Sequence, residues 1–163
     1  MIVYLLRHGI AADWAEGGDA ERALTDEGIG KLARATAGWR RVVGPIDEVL
    51  VSPLLRAQQT ARIFCDAVAP KAPVVETSAL VPEASPLRAL ELIQAAQLMG
   101  ATGIACIAHE PLLGSLLGLL LCGSGRAAIP FKKGMLAIVE IESSASMTGR
   151  LVAALSQRVA AGL

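Results

Sequence analysis

Short apolar runs alternate with longer segments of helical spacing, and this alternation constrains the fold more than any other feature of the chain. Runs of strand length lie at residues 2–6, 49–51, 74–75 and 104–108, and helical spacing covers residues 24–43, 52–68, 86–99 and 112–122. Two final runs, 135–141 and 150–155, flank a serine-rich stretch and predict a closing hairpin. We therefore expect one domain over residues 1–163, a three-layer α/β/α sandwich with a mostly parallel central sheet and an antiparallel edge from the C-terminal hairpin.

Two of the predicted helices have residues at their N-termini that are typical of a helix start. Thr25 precedes Asp26 and Glu27, which predicts an N-cap followed by an acidic first turn. Pro53 follows Ser52, and proline suits the first position of a helix. The glycines at 28 and 30 lie inside the first predicted helix and lack the third glycine of a dinucleotide loop, so we interpret them as helix-packing positions.

Composition excludes several classes of protein. Of the 163 residues, 53% are apolar, which excludes intrinsic disorder. Lys+Arg number 15 and Asp+Glu number 15, and a formal net charge of zero argues against a general nucleic-acid binder. Aromatic residues make up only 3% of the chain, so no stacking platform for single-stranded nucleic acid is expected.

The most apolar window, residues 112–122, is far shorter than the roughly 20 residues that span a bilayer, and it predicts a buried helix. Arg7 and His8 interrupt the apolar N-terminus before a signal-peptide core forms, so a cytoplasmic protein is expected. The three cysteines, Cys65, Cys106 and Cys122, are widely spaced in apolar surroundings, and we expect reduced core thiols rather than metal ligands.

The chain has two histidines, and both follow predicted strands. His8 follows the first strand and His109 follows the strand at 104–108. Ligands of open α/β sheets bind beyond the carboxyl ends of the strands. Either histidine alone fits a hydrogen-bonded turn residue equally well, but two in this position favour a shared site.

Two arginines extend this candidate site. Arg7 precedes His8, and Arg56 falls in the first turn of the second predicted helix, where free N–H groups favour an anion. Arg56 alone would fit a surface arginine, but a guanidinium fork also matches two phosphate oxygens. Two arginines and two histidines together predict an oxyanion pocket without metal or cofactor, because clustered metal-ligand spacing, a Walker loop and a serine-nucleophile motif are absent from the sequence.

These motifs resemble the histidine phosphatase superfamily, which includes the phosphoglycerate mutases. The resemblance rests on RHG at residues 7–9, on SPLLRAQQTA at 52–61 and on His109, and it spans nearly the whole chain. Within that superfamily, the chain is similar to the SixA-type phosphohistidine phosphatases. The similarity rests on its short length, on HEP at 109–111, on FKKG at 131–134 and on the stretch 19–25.

The resemblance implies a phosphoenzyme mechanism. His8 would attack phosphorus through one ring nitrogen while backbone near Gly9 orients the other. Arg7, Arg56 and His109 would hold the phosphate oxygens. A neutral His8, favoured by the nearby arginines, and a protonated His109 would suit this chemistry.

One departure from the wider superfamily bears on the substrate. Many members place a glutamate acid where this chain has Pro82, and Glu83 lies one residue further on. An alkoxide leaving group needs such an acid, whereas a phosphohistidine can take its proton from solvent. A phosphorylated protein, such as a histidine phosphotransfer domain, is therefore the expected substrate, and the sequence leaves the oligomeric state open. The alternatives are a small-molecule phosphomonoesterase that uses Glu83 and a non-catalytic phosphate-binding module.

Overall fold

A computed structural model describes residues 1–125, 129–143 and 147–163. Its central sheet has six strands, which are β1 (Ile2–Arg7), β2 (Glu48–Val51), β3 (Val74–Glu76), β4 (Gly103–Ala108), β5 (Leu136–Ser143) and β6 (Thr148–Leu155). They lie in the order β3-β2-β4-β1-β5-β6. The predicted strands are thus present, each with its boundaries moved by a few residues at most.

The sheet is parallel in its larger part and antiparallel at one edge. Strands β3, β2, β4 and β1 run parallel to their neighbours, while β5 is antiparallel to both β1 and β6. The predicted fold class is therefore confirmed. The tip of the predicted hairpin, residues 144–146, lies outside the described residues.

The helices cover both faces of this sheet. They are α1 (Asp26–Val42), α2 (Leu55–Val68), α3 (Pro86–Leu98), α4 (Leu112–Cys122) and α5 (Gln157–Ala161). One core cluster joins α1, α2 and α5 to one sheet face, with Trp39 packed edge-on against Phe64. A second cluster joins α3 and α4 to the other face. This arrangement matches the three layers expected from the sequence.

The first helix shows how local signals place an element next to the site. The Thr25 hydroxyl accepts a hydrogen bond from the Gly28 backbone N–H at 3.0 Å, as a helix cap does. A Cβ on Gly28 would lie 2.1 Å from the Ile10 carbonyl oxygen. Glycine at this position lets the first turn of α1 pack onto the loop that follows His8. The interpretation of Gly28 as a helix-packing residue therefore holds. A Cβ on Gly30 would meet only the far end of Arg34, at 3.6 Å, so the interpretation was wrong for Gly30.

Three details of the structure differ from the sequence predictions. The second helix begins at Leu55 with Leu54 as its N-cap, so Pro53 is not its first residue. The Ser52 hydroxyl bonds to His109 and to the Leu54 backbone N–H, and no side chain caps this helix. All three cysteines are free, but Cys122 is exposed at the end of α4 and is not a core thiol. Helix α5 had no counterpart in the prediction.

None of the helices in the described part of the chain is long and apolar enough to cross a membrane.

Candidate active site

The carboxyl ends of two adjacent central strands bring the two histidines together. Strands β1 and β4 are parallel neighbours with Arg7 opposite Ala108, and the His8 backbone N–H donates to the Ala108 carbonyl at 3.1 Å. The two imidazole centroids lie 4.9 Å apart. Both histidines are buried, with 6% of His8 and 1% of His109 exposed.

The backbone fixes the ring of His8. Its Nδ1 lies 2.7 Å from the Gly9 carbonyl oxygen. Because a carbonyl only accepts, Nδ1 carries the proton, and the lone pair of the neutral ring is on Nε2. Burial is the largest cause that lowers the pKa of His8 to about 4, and Arg56, Arg7 and Lys133 lower it further, while the Gly9 hydrogen bond opposes them. His8 is therefore a neutral imidazole at physiological pH. Burial lowers its pKa more than the arginines do, although the sequence alone indicated only the arginines as the cause.

A serine fixes the second histidine. His109 Nε2 lies 2.8 Å from Ser52 Oγ, and that oxygen accepts from the Leu54 backbone N–H at 3.4 Å. When the serine hydroxyl donates to Nε2, the ring proton of His109 is on Nδ1, and this is the tautomer that we assign. This Nδ1 is buried and has no hydrogen-bond partner among the described residues.

His109 does not need an extra proton to act as a donor. Burial first, then the charges of His8 and Arg56, lower its pKa to about 3. Without substrate the ring is neutral, because a buried ring between cations is costly to charge, and the expectation of a protonated His109 during the reaction stays a prediction. The neutral tautomer that Ser52 selects already presents an N–H.

The segment before β5 holds Arg7. Arg7 Nη1 donates to the Phe131 carbonyl, and the Gly134 backbone N–H donates to the carbonyls of both Arg7 and His8. The Glu110 carboxylate in turn accepts from the Phe131 backbone N–H at 2.7 Å. Burial lowers the pKa of Arg7, and the negative charge of Glu110 opposes this shift. Glu110 is thus a supporting residue whose role the sequence did not predict.

Arg56 is the most firmly held cation of the site. It lies in the first turn of α2 as predicted and is 4% exposed. Its guanidinium donates to the carbonyl of Asp19 at 2.7 Å and to the Asp19 carboxylate at 2.9 Å. Arg22 donates to the other carboxylate oxygen at 2.7 Å. Hydrogen bonds from Arg56 and Arg22 lower the pKa of Asp19, so its carboxylate stays charged and orients both arginines.

Thr60 joins the two halves of the site. Its hydroxyl accepts from the Gly9 backbone N–H at 3.1 Å and donates to the Arg56 carbonyl at 2.7 Å. The turn that carries His8 and the helix that carries Arg56 therefore share one buried hydrogen-bonded residue.

The structure brings all four predicted residues, Arg7, His8, Arg56 and His109, together, since both arginines are close enough to lower the pKa of both histidines. It leaves Glu83 exposed on a turn, and Glu83 is not among the charges that shift the pKa of either histidine. The described residues contain no group of three or more His, Cys, Asp or Glu side chains able to hold a metal ion. A basic ring nitrogen surrounded by N–H donors is an arrangement that can bind a tetrahedral oxyanion and attack its centre.

Comparisons with known proteins agree with this geometry. Residues 3–81 match the model of the histidine phosphatase superfamily (branch 1). The phosphohistidine phosphatase SixA of Escherichia coli is 32% identical over 153 residues, which cover 91% of this chain and 90% of that protein.

Solved structures show the same likeness. A protein histidine phosphatase SixA complexed with tungstate has a TM-score of 0.86 at 28% identity, covering 97% of this chain and 98% of that one. A SixA protein from Agrobacterium tumefaciens has a TM-score of 0.77 at 25% identity, covering 95% and 97% of the two chains. The chain therefore belongs to the histidine phosphatase superfamily, among its SixA-type members, and is a hydrolase of the phosphatase class.

Proposed function

We propose that this phosphatase removes phosphate from a phosphorylated histidine on a protein, through a phospho-His8 intermediate formed within a single domain of residues 1–163. The observation that carries the proposal is the buried, neutral His8, whose proton is held on Nδ1 by Gly9. Its Nε2 has a basic lone pair and forms no hydrogen bond with any other described residue. A protein that only bound phosphate would not need a nucleophile prepared in this way.

In the first step, the Nε2 lone pair of His8 attacks phosphorus. A new N–P bond forms while the bond between phosphorus and the substrate imidazole breaks, and the leaving imidazole takes a proton from solvent. Arg7, Arg56 and the Nδ1–H of His109 donate hydrogen bonds to the phosphoryl oxygens, where charge is spread in the transition state. In the second step, water attacks phosphorus, the bond to His8 breaks, and inorganic phosphate leaves.

The position of Glu83 favours this substrate class over a small phosphate ester. An ester releases an alkoxide, which needs a general acid within hydrogen-bond reach. Glu83 is exposed on the turn that follows Pro82, and it is not among the charges that shift the pKa of either histidine, which argues against its serving as that acid. A phosphohistidine releases an imidazole, which solvent can protonate near neutral pH.

The relatives support the same conclusion. The similar protein from Escherichia coli is a phosphohistidine phosphatase, and the similar SixA structure holds tungstate, a tetrahedral oxyanion like phosphate. We therefore expect a phosphorylated protein as the partner, such as a histidine phosphotransfer domain. The cytoplasmic location stays a prediction.

The test is to trap the phosphoenzyme with a radiolabelled phosphohistidine protein. Wild type should take up acid-labile label, and His8→Ala should take up none while keeping its circular dichroism spectrum. The matched control is His109→Gln, which should still be labelled, but more slowly. Label that persists in His8→Ala would contradict the proposed nucleophile.

Substrate class is tested by comparing rates on the phosphohistidine protein and on a small phosphate ester. Glu83→Gln should cost several-fold at most on the phosphohistidine protein. A loss of more than about a hundredfold, the scale of general acid catalysis, or a clear preference for the ester would favour the phosphomonoesterase instead.

A further inference from the structure

A cavity of about 560 Å³ next to the active site is lined by five cations. We call it the basic groove, and its cations are Lys31 and Arg34 of α1, Lys132 and Lys133 of the segment before β5, and Arg158 of α5. The chain has 15 Lys+Arg and a formal net charge of zero, yet a third of its cations line this one cavity. No Asp or Glu is among the lining residues.

Most of these cations have no carboxylate partner. Lys31 pairs with Glu27 at 2.6 Å. In the described ranges, the side chains of Arg34, Lys132, Lys133 and Arg158 form no ion pair and no hydrogen bond with another residue. Like charges gathered in this way repel one another, and an anionic partner would relieve that repulsion.

The groove also contains an unused hydrogen-bond donor. Gln157 packs so closely over Gly134 that a Cβ there would lie 2.2 Å from Gln157 Nε2. This nitrogen is buried and has no partner among the described residues. Because that nitrogen is sealed from solvent, the cations are what a ligand entering the groove would contact.

The basic groove adjoins the active site. The backbone N–H of Gly134 donates to the carbonyls of Arg7 and His8, at 3.1 and 3.0 Å. Lys132 and Lys133 immediately precede this residue, and Lys133 is close enough to His8 to lower the pKa of its imidazole. A ligand with phosphate at His8 would therefore extend directly toward the groove.

We infer that the basic groove binds acidic side chains that flank the phosphohistidine of the substrate protein. This inference rests on the proposed function. A single small anion fits the groove poorly, because its cations are spread over two helices and a loop, and Arg34, Lys132 and Arg158 are exposed. Nucleic acid is disfavoured because no aromatic residue lines the groove for base stacking.

The experiment uses the double variant Arg34→Gln/Arg158→Gln, which leaves the active-site residues intact. The control variant, Arg41→Gln/Arg62→Gln, removes two exposed arginines outside the groove. The substrates are free phosphohistidine and two peptides of about fifteen residues with a central phosphohistidine. One peptide carries glutamates on both sides of the phosphohistidine, and the other carries glutamines instead.

Wild type should have a lower KM for the glutamate peptide than for the glutamine peptide. The groove variant should raise the KM for the glutamate peptide about threefold to tenfold, the scale of two surface ion pairs, and lose the preference between peptides. Its kcat/KM on free phosphohistidine should match wild type, and the control variant should behave as wild type throughout. Added salt should weaken the wild-type preference, since the screening length is only about 10 Å at 0.1 M.

Equal rates on both peptides in wild type, or an equal loss on free phosphohistidine and on the peptides in the groove variant, would overturn the inference while leaving the proposed function standing. A wild-type enzyme that hydrolysed none of the phosphohistidine substrates but did hydrolyse phosphate esters would overturn both.

Discussion

The hydrogen bond between Ser52 and His109 leads to a prediction about which nitrogen carries the proton. In Ser52→Ala, the His109 Nε2 loses its only hydrogen-bond partner among the described residues, in a position where the serine is fully buried. The hydroxyl that held the ring proton on Nδ1 is then absent, and we expect part of the neutral ring to carry its proton on Nε2 instead. In that tautomer Nδ1 turns a lone pair toward the phosphate oxygens.

The expected cost is that of a weakened hydrogen bond to the charged phosphoryl group. Such a bond contributes about 1.5–3 kcal/mol, which corresponds to a loss of roughly 10- to 150-fold in kcat/KM. Complete loss of an oxyanion donor sets the upper limit, at about 10²–10³ in rate. We therefore expect Ser52→Ala to lose one to two orders of magnitude while its fold is preserved.

The assay combines kinetics with imidazole nitrogen chemical shifts. Because the chain has only two histidines, the His109 signals are assigned by comparison with His8→Gln. Wild type should show the Nδ1–H tautomer of His109, and Ser52→Ala should show a shift toward Nε2–H. The control is Ser156→Ala, which removes the serine cap of α5 and should leave the tautomer unchanged. Activity within twofold of wild type, or lost activity with an unchanged tautomer, would refute the role assigned to Ser52.

Further predictions concern pH, packing and the supporting carboxylates. Because the pKa of His8 is lowered from 6.5 to about 4 and that of His109 to about 3, the unfolded chain binds protons first as pH falls. Urea titrations should show stability that is present above pH 6.5 and is lost toward pH 4, with about 3 kcal/mol of the loss due to each histidine, and His8→Gln should remove its own share. In thermal melts, Gly28→Ala should destabilise by about 1–3 kcal/mol through the clash with backbone, whereas Gly30→Ala should stabilise by up to about 1 kcal/mol through helix propensity. Glu110→Gln keeps an acceptor oxygen but loses its charge, and kcat/KM should fall roughly threefold to tenfold; no change would exclude its support of Arg7. Asp19→Asn should raise KM more than it lowers kcat in steady-state kinetics, because the guanidinium that binds substrate loses its anchor; an unchanged KM would contradict this.

Local signals in the sequence were enough to predict much of the fold and to select four side chains that the structure brings together. Thr25 caps α1 as its residue type indicates, and the apolar runs become the central strands. His8 follows β1 and His109 follows β4, and these two strands are adjacent in the sheet. Their positions at strand ends in the sequence were therefore enough to predict that the two histidines lie together.

Features that depend on distant partners were not predictable. Ser52 and His109 are 57 residues apart, and Arg56 and Asp19 are 37 apart, so no spacing along the chain links either pair. A distant partner also bears on the misplaced helix start at Pro53, since the Ser52 hydroxyl bonds to His109 and does not cap α2. Helix α5 has only five residues, too few for a periodic pattern, and it forms where Gly38 allows its backbone to pack against α1.

The turns that carry His8 and His109 directly follow β1 and β4, which are deeply buried strands. This burial has a consequence for the hydrogen exchange of their backbone amides. The His8 amide is bonded to β4, all six residues of which are buried, so its exchange requires unfolding of the sheet itself. The amides of α5, which lies at the periphery with Arg158 and Val159 exposed, should exchange through much smaller openings. Binding of an acidic phosphohistidine peptide should therefore slow exchange in α5 many-fold and leave the already slow His8 amide almost unaffected.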